Sequence, residues 1–135
     1  MSQTTAASTA QADLLKISIL GKDSIHVGYH LLPHIFHTIL TTLPSSAYVL
    51  ITDTTLEGLY GDKVREAFAE AQKELGLDKR LLVYHVSPGE TAKSRRVKEG
   101  IEDWMLEQRL TRDTVLLAFG GGVIGDLAGF VAATL

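Results

Sequence analysis

The pattern of apolar and polar residues along the chain predicts segments that alternate between strand and helix. Continuous apolar runs between turn residues predict buried strands, and apolar residues at helical spacing predict the helices that follow them. Such alternation predicts an α/β fold, a Rossmann-like and mostly parallel sheet with helices on both faces. The predicted strands are 47–52, 80–86 and 114–119, and the predicted helices are 34–42, 54–75, one around Val97, Ile101, Trp104 and Met105, and one from Gly122 onward.

Turn and cap residues set the boundaries of these elements. Segments 16–20 and 25–29 flank a four-residue turn and predict a β-hairpin. Thr54 and Glu57 match a capping box at the start of the long helix. Gly76 is typical of a left-handed residue that ends a helix.

The last predicted helix is apolar on almost every side, a pattern typical of a helix that is buried all round. It contains no capping glycine, proline or basic last turn, so we expect the helix to continue beyond Leu135. We therefore expect the 135-residue chain by itself to expose this helix, and to aggregate or bind a partner.

Composition narrows the class of protein. A chain of 135 residues with 45% hydrophobic content fits one domain, predicted at 15–135, after a Ser-, Thr- and Ala-rich tail at 1–14 that we expect to be disordered. The net charge is −3 and the 13 basic residues are scattered, which argues against nucleic acid as a partner. There is no cysteine, no signal-peptide pattern and no apolar run of about 18 residues. We expect a soluble, cytoplasmic protein that has no membrane partner.

Glycines mark the junction between the last predicted strand and helix. Gly120-x-Gly122-x-x-Gly125 has the spacing of a dinucleotide fingerprint. Glycine lets a phosphate approach the backbone closely, and the helix N-terminus offers unpaired amides and partial positive charge. The alternative is that the glycines serve only strand-to-helix packing. The usual fingerprint also lies on the first strand and precedes its acidic partner, an order that this chain reverses.

Two other strand ends carry candidate residues. Asp53 follows the first buried strand, where a carboxylate accepts hydrogen bonds from ribose hydroxyls and favours NAD over NADP. Its alternative role is a helix N-cap. Glu90 and Lys93 lie in the loop after the second strand. Glu90 suits a ribose or an amide as a hydrogen-bond acceptor, and Lys93 suits a phosphate. The alternative for this pair is an ordinary helix start.

Together these motifs resemble 3-dehydroquinate synthase. The resemblance covers about 16–135 and rests on Asp53, on Pro88-Gly89-Glu90-x-x-Lys93-Ser94, and on Gly120 to Asp126 followed by Gly129-Phe130. Residues 101–106 are also similar to the amino-terminal part of the fungal pentafunctional AROM polypeptides.

The resemblance implies an NAD-binding domain, here incomplete, and a helical domain, absent here, that supplies a zinc site and most substrate contacts. Asp53 would hold the adenosine ribose, and Asp126 would lie near the nicotinamide. Thr55 is an implied cofactor contact and departs from the family pattern, because it stands where fungal relatives carry asparagine. The remaining implied NAD contacts are Glu90, Lys93, Gly121, Gly122 and Val123.

The family's reaction converts a seven-carbon keto acid phosphate (DAHP) into 3-dehydroquinate with release of phosphate, a step of the shikimate pathway to aromatic amino acids. NAD is catalytic in this lyase, and the enzyme is expected to be a homodimer. His30, His34 and His37 do not predict a zinc site, because Pro33 should start the helix after His30. The family's zinc ligands would lie beyond Leu135, so we assign no catalytic residue and expect this chain alone to be inactive.

Two alternatives stay open at this point. The first is a related enzyme, either another sugar phosphate cyclase or an iron-type alcohol dehydrogenase. Between these two enzyme classes, the loop with Glu90 and Lys93 favours the sugar phosphate cyclases. The second alternative is a dinucleotide-binding module without turnover.

Overall fold

The computed structural model describes residues 14–87 and 95–134, which fall into two compact units. The first unit ends at Leu32 and contains an antiparallel hairpin of β1 (Leu15–Ile19) and β2 (Lys22–Val27). The second unit begins at Pro33 and contains the parallel sheet. The tail predicted to be disordered lies, except for Leu14, outside the described residues. The treatment of 15–135 as one NAD-binding domain stays a prediction.

The hairpin turn is shorter than predicted. Ile19 pairs with Lys22, so the turn consists of Leu20 and Gly21 alone, with φ values of 52° and 81°. Two positive φ angles match the right-handed twist of the strands in a tight hairpin. The predicted four-residue turn was therefore wrong, because a leucine at positive φ is uncommon and does not look like a turn residue.

The second unit alternates helices and strands, as predicted. Its three strands form a parallel sheet in the order β4-β3-β5. Among the described helices, none combines the length and the hydropathy needed to cross a membrane. The elements are α1 (Leu32–Thr42), β3 (Ala47–Asp53), α2 (Thr54–Leu75), β4 (Arg80–Val86), α3 (Arg95–Glu107), β5 (Val115–Ala118) and α4 (Gly122–Thr134).

Helices cover both faces of the sheet, which confirms the predicted fold class. On one face, the ring of Tyr48 in β3 lies edge-on to Phe68 of α2 at 5.9 Å, and Phe68 meets Phe36 of α1 at 5.6 Å. On the opposite face, Val49 and Ile51 of β3 are fully buried. They pack in a cluster whose buried helical members are Ile101 and Met105 of α3 and Ile124, Leu127, Ala128 and Val131 of α4.

Helix α4 is buried on one side only. Leu127 and Val131 have no exposed surface, whereas Val123 is 54% exposed and Phe130 is 40% exposed. The ammonium group of Lys98 in α3 lies 5.0 Å from the centre of the Phe130 ring. The side of α4 that faces away from the sheet is therefore apolar and partly open.

A polar network joins the amino ends of β3 and β5. The buried hydroxyl of Ser45 donates to the main-chain carbonyl of Asp113 at 2.7 Å. The Asp113 carboxylate accepts from the amide and the hydroxyl of Ser46, at 3.4 and 3.1 Å, and from the hydroxyl of Thr111. These donors, Thr111 first, lower the pKa of Asp113. The network fixes the end of the sheet that lies away from the glycine junction.

Because the pKa of Asp113 is lowered in the folded state, the free energy of unfolding depends on pH in the acid range. Because the folded state holds the ionised carboxylate, its contribution is present above the ordinary pKa of about 4 and is lost as pH falls through the folded value. We expect Asp113→Asn to destabilise the chain at pH 7 and to bring it closer to the wild type at pH 3. Urea unfolding at both pH values measures this difference. Asp62 is fully exposed, so Asp62→Asn is the control and is expected to change stability little at either pH.

Candidate functional site

The candidate site lies at the ends of two neighbouring strands, β3 and β5, whose following helices pack on opposite faces of the sheet. Helix α2, which follows β3, packs on the Tyr48 face, and α4, which follows β5, packs on the Val49 face. Such a switch point opens a crevice at the carboxyl ends of the strands, where α/β proteins bind ligands. Ile51 pairs with Ala118, so Asp53 and Gly120 each follow two residues after the last paired positions of two adjacent strands. The structure thus brings two predicted parts of the site together.

Asp53 is the last residue of β3 and also the N-cap of α2. Its backbone is extended, with φ −104° and ψ 166°, and Oδ1 accepts from the Leu56 amide at 2.8 Å. Among the described residues, Oδ2 has no hydrogen-bond partner. The capping alternative for Asp53 is therefore realised, and it leaves the second carboxylate oxygen available to a ligand.

The predicted capping box at Thr54 and Glu57 is wrong. The cap lies one residue earlier, because the strand ends on a residue whose short carboxylate already reaches the first turn of α2. Glu57 instead pairs with Arg65, with 2.6 Å between Oε1 and Nη2. The far end of the helix agrees with the sequence: Gly76 has φ 65° and donates to the carbonyls of Gln72 and Lys73.

The glycines of the junction divide into two kinds. Gly120 has φ +155°, and a Cβ atom there would lie 2.9 Å from Cγ1 of Ile124, so this glycine is required by packing and backbone conformation. At Gly121, Gly122 and Gly125 a Cβ atom would meet nothing within 4 Å. The packing alternative thus explains Gly120 and leaves the other three open to a ligand.

The first turn of α4 presents unpaired amides. The carbonyl of Gly121 accepts from the amides of Ile124 and Gly125, at 3.1 and 3.2 Å. Within the described part of the chain, the amides of Gly121, Gly122 and Val123 have no partner, and no acidic side chain lies in this turn. Because α2 has a side-chain cap and α4 has none, the free donors and the positive end of the helix dipole are concentrated beside β5.

The other predicted site residues fall into two groups. Thr55 is exposed in the first turn of α2, and Asp126 is exposed in the second turn of α4. Glu90 and Lys93 lie outside the described residues, so their roles stay predictions.

The histidines do not share one helical face. His30 has φ 54° and precedes α1, whereas His34 and His37 lie within it. Residues 14–87 and 95–134 bring together no group of three His, Cys, Asp or Glu side chains that could hold a metal ion.

Sequence reasoning missed one residue at the switch point. Thr52 is fully buried at the end of an otherwise apolar strand, and its hydroxyl donates to the carbonyl of Phe119 at 2.7 Å. The signal was present in the sequence as a hydroxyl residue beside the candidate acid Asp53.

The parallel sheet with helices on both faces defines an α/β protein, and solved structures of similar fold agree with that architecture. The chain is similar to 2-deoxy-scyllo-inosose synthase, solved in complex with carbaglucose-6-phosphate, NAD+ and Co2+, with a TM-score of 0.60 and 19% sequence identity. The match covers 76% of this chain and 27% of that chain.

Sequence comparison finds proteins similar to this chain. Residues 83–135 match the 3-dehydroquinate synthase N-terminal family. The chain is 62% identical over 111 residues to the pentafunctional AROM polypeptide of Malassezia globosa and 50% identical over 122 residues to that of Pneumocystis carinii. These matches cover 82% and 90% of the chain, but only 7% and 8% of the two relatives. The resemblance drawn from the motifs is thus confirmed.

Proposed function

We propose that this chain is the NAD-binding segment of a 3-dehydroquinate synthase. The observation that carries the proposal is the switch point between β3 and β5. There, one carboxylate oxygen of Asp53 has no partner among the described residues, and the glycine-rich start of α4 on the neighbouring strand has no side-chain cap among them. An acid for a ribose and amides for a pyrophosphate are the two parts that a dinucleotide requires.

Each part fits the cofactor chemically. Oδ2 of Asp53 accepts from a ribose hydroxyl while Oδ1 continues to cap α2, and its charge disfavours a 2′-phosphate. The amides of Gly121, Gly122 and Val123 donate to the pyrophosphate, which approaches closely because Gly121 and Gly122 carry no side chain. When bound, NAD supplies reversible hydride transfer.

The remaining contacts follow from the resemblance. Glu90 and Lys93 line the cofactor, and Asp126 lies towards the nicotinamide end. Thr55 offers a hydroxyl where fungal relatives carry an amide, and so makes at most a weaker contact.

The complete reaction belongs to a longer polypeptide, because this chain spans about 8% of the AROM relatives. That enzyme converts DAHP into 3-dehydroquinate and releases phosphate, in the cytoplasm and as a homodimer. The resemblance implies that the zinc ligands of that enzyme lie in its helical domain.

The alternative that the fold supports is the activity of another sugar phosphate cyclase in place of dehydroquinate synthase. The similar structure is a 2-deoxy-scyllo-inosose synthase bound to NAD+ and a sugar phosphate analogue. Its 19% identity is far below the 45–62% of the AROM relatives, which favours dehydroquinate synthase. No contact in the described residues favours an iron-type alcohol dehydrogenase or a module without turnover.

Asp53→Ser tests the cofactor site without removing the helix cap. Serine is as good an N-cap as aspartate, so stability is expected to change by only a few tenths of a kcal/mol. NAD affinity is expected to fall about 10- to 100-fold, because the hydrogen bonds to a charged group are lost. Discrimination against NADP is expected to fall as well. Calorimetric titration of the purified chain with both nucleotides measures these changes.

Asp53→Ala is the matched control, since it removes the cap and the ribose acceptor together. It is expected to lower stability by about 1 kcal/mol in addition to weakening NAD. If the wild type binds NAD and Asp53→Ser binds it equally well, Asp53 is a helix cap only and its cofactor role is excluded.

A further inference from the structure

Thr52 lies at the point where β3 and β5 stop pairing. The last ladder bond between them runs from the Phe119 amide to the Ile51 carbonyl, at 2.9 Å. A regular parallel ladder would continue with a bond from the Asp53 amide to the Phe119 carbonyl. No such bond joins these two residues, and the Thr52 hydroxyl donates to that carbonyl instead, at 2.7 Å. A side chain thus replaces the next bond of the sheet.

This replacement ends the ladder without leaving a carbonyl unpaired. Thr52 has no exposed surface, so its hydroxyl cannot exchange the carbonyl for water while the protein stays folded. The Phe119 ring lies edge-on to the ring of Tyr60 in α2, with ring centres 6.2 Å apart. Both contacts fix Phe119, the residue from which the glycine turn departs.

The hydroxyl also determines the direction of the next amide. The C=O and N–H groups of one planar trans peptide point in opposite directions. A Phe119 carbonyl that points to Thr52 therefore directs the Gly120 amide away from β3. Gly120 then continues at φ +155°, and α4 begins two residues later at Gly122.

We propose that Thr52 is a positioning residue of the dinucleotide site. Its hydroxyl ends the β3–β5 ladder and fixes the Phe119–Gly120 peptide, so that the amides of Gly121 and Gly122 are held ready for the pyrophosphate beside Asp53. This inference rests on the proposed NAD-binding function, to which it adds a residue that does not touch the cofactor.

Thr52→Val and Thr52→Ser test the hydroxyl against the shape of the side chain. Valine keeps the volume of threonine and removes the donor, whereas serine keeps the donor. Calorimetric titration of the full chain with NAD is expected to show about tenfold weaker binding for Thr52→Val. Thr52→Ser is expected to stay within about threefold of the wild type, because it retains the hydrogen bond.

Ser45→Ala controls for a general loss of stability. Ser45 is another buried hydroxyl that donates to a main-chain carbonyl, but it lies at the amino end of β3. Its removal is expected to lower the melting temperature and to leave NAD affinity unchanged. Equal NAD affinities for Thr52→Val and Ser45→Ala would overturn the positioning role, and so would a failure of serine to restore binding.

An NMR comparison without NAD separates this inference from the proposed function. The amide resonances of Gly120, Gly121 and Gly122 are expected to move in Thr52→Val and to stay close to the wild type in Thr52→Ser and Ser45→Ala. If the wild type does not bind NAD, the proposed function fails, and the NMR spectra alone decide whether Thr52 sets the turn. Unchanged glycine amides in Thr52→Val would show that it does not.

Discussion

Leu127→Ala is expected to lower the free energy of unfolding by about 2–5 kcal/mol. Leu127 has no exposed surface and belongs to the cluster that joins α4 to Val49 and Ile51 of β3 and to Ile101 of α3. Truncation removes apolar contacts and leaves a cavity where β3, α3 and α4 meet. Urea unfolding measures the change, with the fluorescence of Trp104, the chain's single tryptophan, as the probe.

Val123→Ala on the same helix is the matched control. Val123 is 54% exposed, so its truncation is expected to change stability by less than about 0.5 kcal/mol. Because α4 carries the amides of the proposed NAD site, NAD affinity measured in the presence of urea is expected to fall with stability in Leu127→Ala. Equal destabilisation by the two variants would contradict the one-sided packing of α4 on the sheet.

Features that depend on neighbouring residues in the sequence could be predicted. The run 47–52 is apolar up to Thr52 because β3 is covered on both faces, and six of the seven residues of β3 are buried. The end of α2 could be predicted because a left-handed C′ residue strongly favours glycine, as Gly76 shows. The class of fold followed from the order of such local signals.

Features that depend on distant residues could not be predicted. The order β4-β3-β5 is determined by which face each helix packs against, and this placed Asp53 beside Gly120 across 67 positions of sequence. The bond from Thr52 to Phe119 and that from Ser45 to Asp113 likewise join residues 67 and 68 positions apart. The two roles of Asp53, cap and candidate ligand, appeared as alternatives in the sequence and are compatible in the structure, because a carboxylate has two oxygens.

Gly120→Ala is expected to destabilise the chain by about 2–4 kcal/mol and to abolish measurable NAD binding. At φ +155° an L-residue is strained, and the added Cβ would lie 2.9 Å from Cγ1 and 3.1 Å from Cβ of Ile124. Relief of this contact requires the start of α4 to move away from β5, and that movement displaces the amides proposed to bind the pyrophosphate. Thermal or urea unfolding and calorimetric titration with NAD measure the two effects.

Gly121→Ala separates the cofactor contribution from the structural one. A Cβ at Gly121 meets nothing within 4 Å, so its stability is expected to stay within about 0.5 kcal/mol of the wild type while NAD affinity falls about tenfold or more. A double-mutant cycle of Gly120→Ala with Ile124→Ala then divides the cost at Gly120. The part that Ile124→Ala relieves is the contact with Cγ1, and the part that remains is backbone strain together with the contact with Cβ. If Gly121→Ala destabilises the chain as much as Gly120→Ala does, both glycines are required for packing. The junction then serves to hold α4 on the sheet, and the proposed role of the Gly121 amide in binding the pyrophosphate is not supported.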